Sequence, residues 1–228
     1  MMKNVPPAHA ISCNCNSHVL TRRGFLAGGA ALAAGLAAPS AWTQERAKSI
    51  RSLRGLVRVN GERVNGSAPV RIGDTIATGA DGRVSFVVGR DAFFLRENSE
   101  LKIESSGAGI IDSLRMITGA LGAVFGTRSS GQLALHTPTV TAGIRGTGCY
   151  TEVRDSGVYF CTCFGAIQLT SLNGGQQELV VSSHHDPRQI MRDATDNMMV
   201  TPTTFGMHTD QEMDALEKLV GRRAPWAS

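Results

Sequence analysis

The chain has 228 residues, with 23 Lys and Arg against 19 Asp and Glu, and a sequence pI of about 9.0. Most of the net charge of +4 comes from the first 41 residues, which contain Lys3, Arg22 and Arg23 and no acid, so residues 42–228 carry 20 − 19 = +1. A nearly neutral chain without a basic block excludes a nucleic-acid partner. Its length is that of one domain with its own apolar core.

The amino-terminal segment has the order of features found in an export signal. Arg22 and Arg23 precede an apolar run, residues 27–38, and small residues follow up to Ala41. The run is shorter than the roughly 18 to 20 residues of a membrane-spanning helix. The arrangement resembles a twin-arginine export signal. We therefore expect residues 1–41 to be a signal peptide cleaved near Ala41, so that the protein is periplasmic and meets the membrane only during export.

Short apolar segments separated by turn residues follow the export segment. Residues 56–59 alternate apolar and polar side chains, and Asn60 and Gly61 then supply the two positive-φ positions of a tight hairpin turn. Further turn clusters recur at intervals of roughly eight to twelve residues, which is typical of all-β domains. The pattern predicts an all-β domain over residues 42–195, and a β-sandwich, a barrel and a short β-solenoid-like domain all agree with it.

Residues 196–228 are predicted to form a C-terminal tail with one short helix at about 210–220. Thr209 and Glu212 have the spacing of a capping box, and four apolar residues form a stripe before Gly221, a typical helix stop. We expect this helix to cover a sheet edge or an apolar sheet face, because four apolar residues are too few for membrane docking. Residues 222–226 are expected to be a frayed tail.

Besides the export signal, the chain has a second recognisable pattern, formed by five residues between positions 137 and 147. Thr137 and Pro138 precede a predicted strand, and Arg145, Gly146 and Thr147 follow as a turn. This order resembles the signature of the FecR-domain family, the periplasmic sensory part of iron-citrate type signalling regulators. An arginine with five donors beside a glycine either ties loop carbonyls together or captures a ligand.

The resemblance extends upstream and covers roughly residues 55–170. The hairpin at residues 59–61, the segment 72–79 and the run 98–101 also match the family. The resemblance implies a β-rich periplasmic module that senses or binds a protein of the cell envelope. Regulators of this family place a cytoplasmic segment and a membrane helix ahead of that domain, whereas 21 residues precede Arg22 here. We therefore expect a free-standing, exported and non-catalytic domain without a direct sigma-factor role.

Three of the five cysteines, Cys149, Cys161 and Cys163, lie beyond the export segment. If a three-residue loop, 155–157, closes the hairpin around them, Cys149 lies opposite Cys163 and Cys161 lies diagonally on the same face. The thiols would then point outward or lie under a loop, on the face opposite the aromatic residues Tyr150, Phe160 and Phe164. A loop of even length would move Cys149 to the other face.

The thiols and the His184-His185 pair make a candidate metal-ligand set. Three thiolates and one imidazole would complete a tetrahedral zinc site, and mixed sulfur and nitrogen ligands also suit copper and iron. The candidate ligands for Zn, Cu or Fe are therefore Cys149, Cys161, Cys163, His184 and His185. Two alternatives remain open, a Cys149–Cys163 disulfide with Cys161 free, or three small partly buried apolar side chains.

The residue types needed for nucleophilic catalysis are also present. Cys161 or Cys163 with His184 or His185 and Asp186 would supply a nucleophile, a base and an orienting carboxylate. The chain contains neither a Gly-x-Ser-x-Gly motif nor a phosphate-binding glycine loop with lysine. We therefore expect no enzymatic activity and assign no catalytic residues.

Overall fold

A computed structural model describes residues 49–107, 110–128, 132–173, 175–193 and 200–227. This part of the chain contains fourteen strands and one helix, so the expected all-β domain with a C-terminal helix is confirmed. The predicted export segment, residues 1–41, lies outside the described residues. No helix of the described residues has the length and apolar character needed to cross a bilayer.

The strands are short near the start of the domain and longest in its middle. In chain order they are β1 Ile50–Arg54, β2 Val57–Val59, β3 Glu62–Arg63, β4 Thr75–Thr78, β5 Arg83–Val88, β6 Asp91–Leu95, β7 Glu100–Glu104, β8 Ser113–Val124, β9 Leu133–His136, β10 Val140–Arg154, β11 Gly157–Ser171, β12 Gln177–Ser182, β13 Asp186–Met191 and β14 Val200–Pro202. The helix, α1, spans Asp210–Leu219. The predicted first hairpin is confirmed, since Asn60 and Gly61 have φ of 53° and 83° between β2 and β3.

All fourteen strands belong to one open, branched sheet. Its main path runs β14-β13-β11-β10-β9-β8-β7-β4-β2-β3, while β1, β5 and β6 branch from β8, and β12 pairs with β11. Among the described strands, β8 and β9 pair in parallel and the other pairs are antiparallel. Strands from both ends of the domain, from Ile50 of β1 to Val200 of β14, contribute buried side chains to one apolar core.

The hairpin of β10 and β11 has a register different from the predicted one. A two-residue loop, 155–156, joins the strands, and Cys149 pairs with Thr162 instead of Cys163. The three-residue loop prediction is therefore wrong. Because side chains alternate along a strand, the shorter loop places Cys149 on the face opposite Cys161.

A β-bulge interrupts this hairpin beside Cys163. Gly148 pairs with Phe164 and the next pair is Cys149 with Thr162, so Cys163 is the extra residue on β11. A bulge disturbs the alternation of side chains, and Cys163 and Phe164 consequently both pack on the same face of the sheet. The bulge exchanges the two faces of β11. Odd-numbered residues before it, such as Cys161, belong to the second apolar cluster, whereas odd-numbered residues beyond it, such as Ile167, belong to the main core.

The aromatic residues of the hairpin do not lie opposite the thiols as predicted. Tyr150 and Phe164 pack with Cys161 and Cys163 in a second apolar cluster, whereas Phe160 lies in the main core together with the third cysteine. All three cysteines are completely buried, so none of the thiols points outward into solvent, the first of the two positions expected for them. The second cluster lies on the outer face of the sheet, beneath α1.

Helix α1 covers this second cluster. The predicted capping box is confirmed, since the Thr209 hydroxyl accepts from the Glu212 N–H and the Glu212 carboxylate accepts from the Thr209 N–H. Met213 and Leu216 are buried in the cluster, and α1 packs against β6 and β8. The helix therefore covers an apolar sheet face, one of the two roles expected for it.

Candidate metal centre

Four ligand-type side chains converge between the sheet and the start of α1. They are Cys161, Cys163, His185 and His208, and one sulfur or nitrogen atom from each lies within 4.8 Å of the others. The two cysteines come from β11, His185 precedes β13, and His208 stands directly before the N-cap residue of the helix. Both thiols and His208 are buried, and the His185 side chain is only 3% exposed. The cluster is therefore closed to solvent.

Three of the six separations between these atoms are close to those of ligands around a tetrahedral metal ion. Cys161 Sγ lies 3.8 Å from His185 Nδ1, Cys163 Sγ lies 3.1 Å from His208 Nε2, and the two nitrogens are 3.2 Å apart. A tetrahedral zinc ion with bonds of about 2.3 Å to sulfur and 2.0 Å to nitrogen separates its ligands by about 3.3 Å for two nitrogens and 3.5 Å for nitrogen and sulfur. These three separations differ from the tetrahedral values by a few tenths of an ångström.

Backbone geometry brings His185 to this position. Its φ of 49° lies in the left-handed region that residues other than glycine rarely adopt. Its N–H donates to the carbonyl of Cys163 at 2.9 Å, which ties the turn before β13 to the bulge in β11. Unfavourable backbone conformations of this kind concentrate at functional sites, where the surrounding structure holds them in place.

The two thiols have pKa values shifted in opposite directions. A hydrogen bond from the Cys163 thiol, supported by hydrogen bonds from His185 and His208, lowers the pKa of Cys161 although burial opposes this. Burial and the neighbouring Cys161 thiolate raise the pKa of Cys163. A metal ion binds the thiolate form of cysteine, and the lowered pKa of Cys161 favours that form.

Asp210, the first residue of α1, orients His185 from outside the cluster. Its Oδ1 lies 2.7 Å from His185 Nε2, so Nδ1 is directed toward the sulfur atoms. Burial alone would lower the pKa of His185, but hydrogen bonds to Cys161 and Asp210 outweigh it and raise that pKa. His184 Nε2 also lies 3.1 Å from Asp210 Oδ2. Partial burial would raise the pKa of Asp210, yet the hydrogen bonds from His185 and His184 lower it.

Replacing Asp210 by asparagine is expected to weaken zinc binding by about 10- to 100-fold, because loss of an outer carboxylate makes a ligating histidine less basic and less well oriented. Competition against a chromophoric zinc chelator measures the affinity. Asp214→Asn is the matched control, since it makes the same chemical change one turn further along α1. Equal affinities for the two variants would show that Asp210 does not support the centre.

Aromatic rings surround the cluster. Phe205 stacks on His185 with ring centroids 4.2 Å apart, and Tyr150 stacks on His208 at 4.6 Å. Trp226 lies 4.9 Å from His185. The predicted frayed tail at residues 222–226 is therefore wrong, because its tryptophan forms part of the wall that separates the cluster from solvent.

The sequence-derived ligand candidates separate into two groups. Cys161, Cys163 and His185 lie in the cluster, whereas Cys149 lies in the main core on the other face of the sheet. His184 is exposed and contacts Asp210 instead of the sulfur atoms. All three of the described cysteines are free thiols, so the alternative Cys149–Cys163 disulfide is not formed.

Sequence reasoning missed His208 and Asp210. They stand on either side of Thr209, the N-cap residue that the sequence predicts. Only four of the six histidines lie beyond the predicted export segment, and this small number is the signal that could have drawn attention to His208. Asp186, considered as an orienting carboxylate, pairs with Arg188.

The signature residues lie away from the cluster. The Thr137 hydroxyl donates to the carbonyl of Val140 and accepts from its N–H, which closes the turn between β9 and β10. Gly146 has a φ of 59°, and Thr147 is fully buried beside it. Arg145 is exposed and its guanidinium forms no hydrogen bond within the described part of the chain, so the side chain does not tie loop carbonyls there.

No family model matches the chain, and no curated protein matches it. Two crystal structures, each described as a putative anti-sigma factor from Parabacteroides distasonis, are similar in fold. The structure at 2.50 Å has a TM-score of 0.47 and 7% identity over 57% of this chain and 59% of that chain. The structure at 1.65 Å has a TM-score of 0.49 and 8% identity over 64% and 65%. Less than two thirds of each of those chains is therefore spanned, and the similarity concerns the fold alone.

The fold and the cluster together define the class of protein. It is an all-β domain with a C-terminal helix and a buried set of two cysteines and two histidines between them.

Proposed function

We propose that the protein is a non-catalytic binding module of the cell envelope that holds one transition-metal ion at Cys161, Cys163, His185 and His208. The observation that carries this proposal is the convergence of two sulfur and two nitrogen atoms within 4.8 Å of one another, on side chains that are almost fully buried. Four protein ligands leave no position for a substrate, which is typical of a structural or sensing site. Zinc suits this ligand set best, and copper and iron also accept sulfur with imidazole.

The cost of burying these groups also favours a bound ion. Polar and charged groups are expensive to bury unless their hydrogen bonds and charges are satisfied. A divalent cation would neutralise both thiolates and accept the lone pairs of both imidazoles. His208 Nδ1, which is buried without a hydrogen-bond partner among the described atoms, would then carry the proton of the ligating tautomer.

The envelope location rests on the sequence at residues 1–41. A twin-arginine type signal exports folded proteins, and such proteins often acquire a cofactor in the cytoplasm before export. The order of the FecR-like motifs supports a sensing role as a second candidate, with an envelope protein as partner. The exposed Arg145 within that signature offers such a partner a charged contact.

Elemental analysis of the purified exported protein tests the metal proposal. We expect about one equivalent of zinc, or of copper or iron, per chain, with the mass of the protein–metal complex seen by native mass spectrometry. Replacement by Co²⁺ should give the intense absorption of a tetrahedral thiolate complex. Protein without metal that also fails to bind added Zn²⁺, Cu⁺ or Co²⁺ would rule the proposal out.

A further inference from the structure

We infer that the bound ion acts as a latch, which holds the C-terminal segment, residues 203–227, against the sheet and leaves it free to detach when the ion is lost. This inference rests on the proposed metal site and concerns its regulation. The cluster is divided between two parts of the chain. Cys161, Cys163 and His185 belong to the sheet and its turns, whereas His208 belongs to the C-terminal segment. An ion bound to all four residues therefore joins the segment to the sheet.

Both ends of the C-terminal segment meet at the cluster. His208 and Asp210 reach it from the start of α1, and Trp226 returns to it after the helix and packs on His184 and His185. Phe205 stacks on the other side of His185. Loss of the ion would therefore weaken the attachment both of the residues that precede α1 and of the residues that follow it.

The other polar attachments of the C-terminal segment are made mainly by side chains, and include a hydrogen bond from Arg222 to the carbonyl of Arg90 and a contact between Arg154 and the sulfur of Met207. Thr203 donates its N–H to the carbonyl of Pro187, but no backbone–backbone hydrogen bond within the described part of the chain joins residues 204–227 to the sheet. The ion pair between Arg96 and Glu212 is partly exposed, with 26% and 30% of the side chains accessible, and such pairs contribute little. A helix of ten residues is not stable alone in water, so α1 depends on its docking.

The surface beneath α1 is apolar. Met213 and Leu216 are buried in the second cluster, which also contains Phe94, Val124 and Tyr150 of the sheet. Detachment of the C-terminal segment would expose this patch, and large exposed apolar patches are rare on soluble proteins except at interaction sites. Occupancy of the metal site would therefore control whether this face of the sheet is covered.

Hydrogen exchange measured by mass spectrometry on the zinc-loaded and the chelator-treated protein tests the latch. We expect amides of residues 203–227 to exchange about tenfold faster or more without zinc, while β10 and β11 keep their protection. Binding of an apolar fluorescent dye should rise in parallel. If zinc binds but the protection of residues 203–227 does not depend on it, the latch is wrong and the metal site stands. Failure to bind any metal overturns both.

Two variants separate the latch from general weakening of the helix. His208→Gln removes the ligand from the C-terminal segment, and its residues 203–227 should exchange as in the chelated protein even with zinc present. Arg96→Ala removes the ion pair to Glu212 but no ligand, so its protection should still depend on zinc. Zinc-dependent protection that persists in His208→Gln, or disappears in Arg96→Ala, would contradict the latch.

Discussion

Replacing Cys161 and Cys163 together by serine is expected to abolish metal binding and to lower the thermal stability of the protein strongly. A serine hydroxyl does not replace a thiolate as a zinc ligand, and the remaining two imidazoles cannot hold the ion alone. Structural zinc sites in small peptides bind with apparent free energies of about 10 to 16 kcal/mol at pH 7, and this energy contributes to folding. Elemental analysis and thermal unfolding of the variant measure both effects.

Cys149→Ser is the matched control for this double variant. It changes the same functional group in the same hairpin, but on the face that belongs to the main core. We expect it to keep its metal and to lose about 1 to 3 kcal/mol of stability, because a hydroxyl replaces a thiol among apolar side chains. The assignment of the ligands is wrong if the double variant retains metal or if Cys149→Ser loses it while still folded.

Changing Arg22 and Arg23 together to lysine is expected to keep nearly all of the protein in the cytoplasm. A twin-arginine signal is recognised by a receptor as an address, so conserving the positive charge does not conserve the signal. Cell fractionation, or a fused reporter active only after export, measures the effect. Arg51→Lys with Arg54→Lys, the same change in strand β1, should leave export intact. Equal export of both double variants would remove the support for the proposed route.

Features that depend on a few adjacent residues were predicted correctly. Asn60 and Gly61 form the turn between β2 and β3 because their own backbone preferences favour positive φ. Thr209 and Glu212 cap the helix because each can reach the other's backbone N–H within one turn. Alternating apolar residues indicated the all-β domain for the same reason, since burial on one face of a strand repeats every second residue.

The faces of the cysteines depended on information that is not local. One residue fewer in the loop after β10 moved Cys149 to the main core, and the bulge at Cys163 then placed that thiol and Phe164 on the same side. The length of a turn and the position of a bulge are decided by how both strands pack, and a change of one residue reverses every side chain beyond it.

The sequence by itself determined the strand-rich class, the capped helix and three members of the cluster, because composition, periodicity and capping express preferences of neighbouring residues. Only the tertiary structure decided that His208, 45 residues after Cys163 and 23 after His185, completes the set. The physical reason is that this contact forms only when α1 packs its apolar stripe on the sheet. The position of one apolar surface on another depends on many weak contacts across the whole domain.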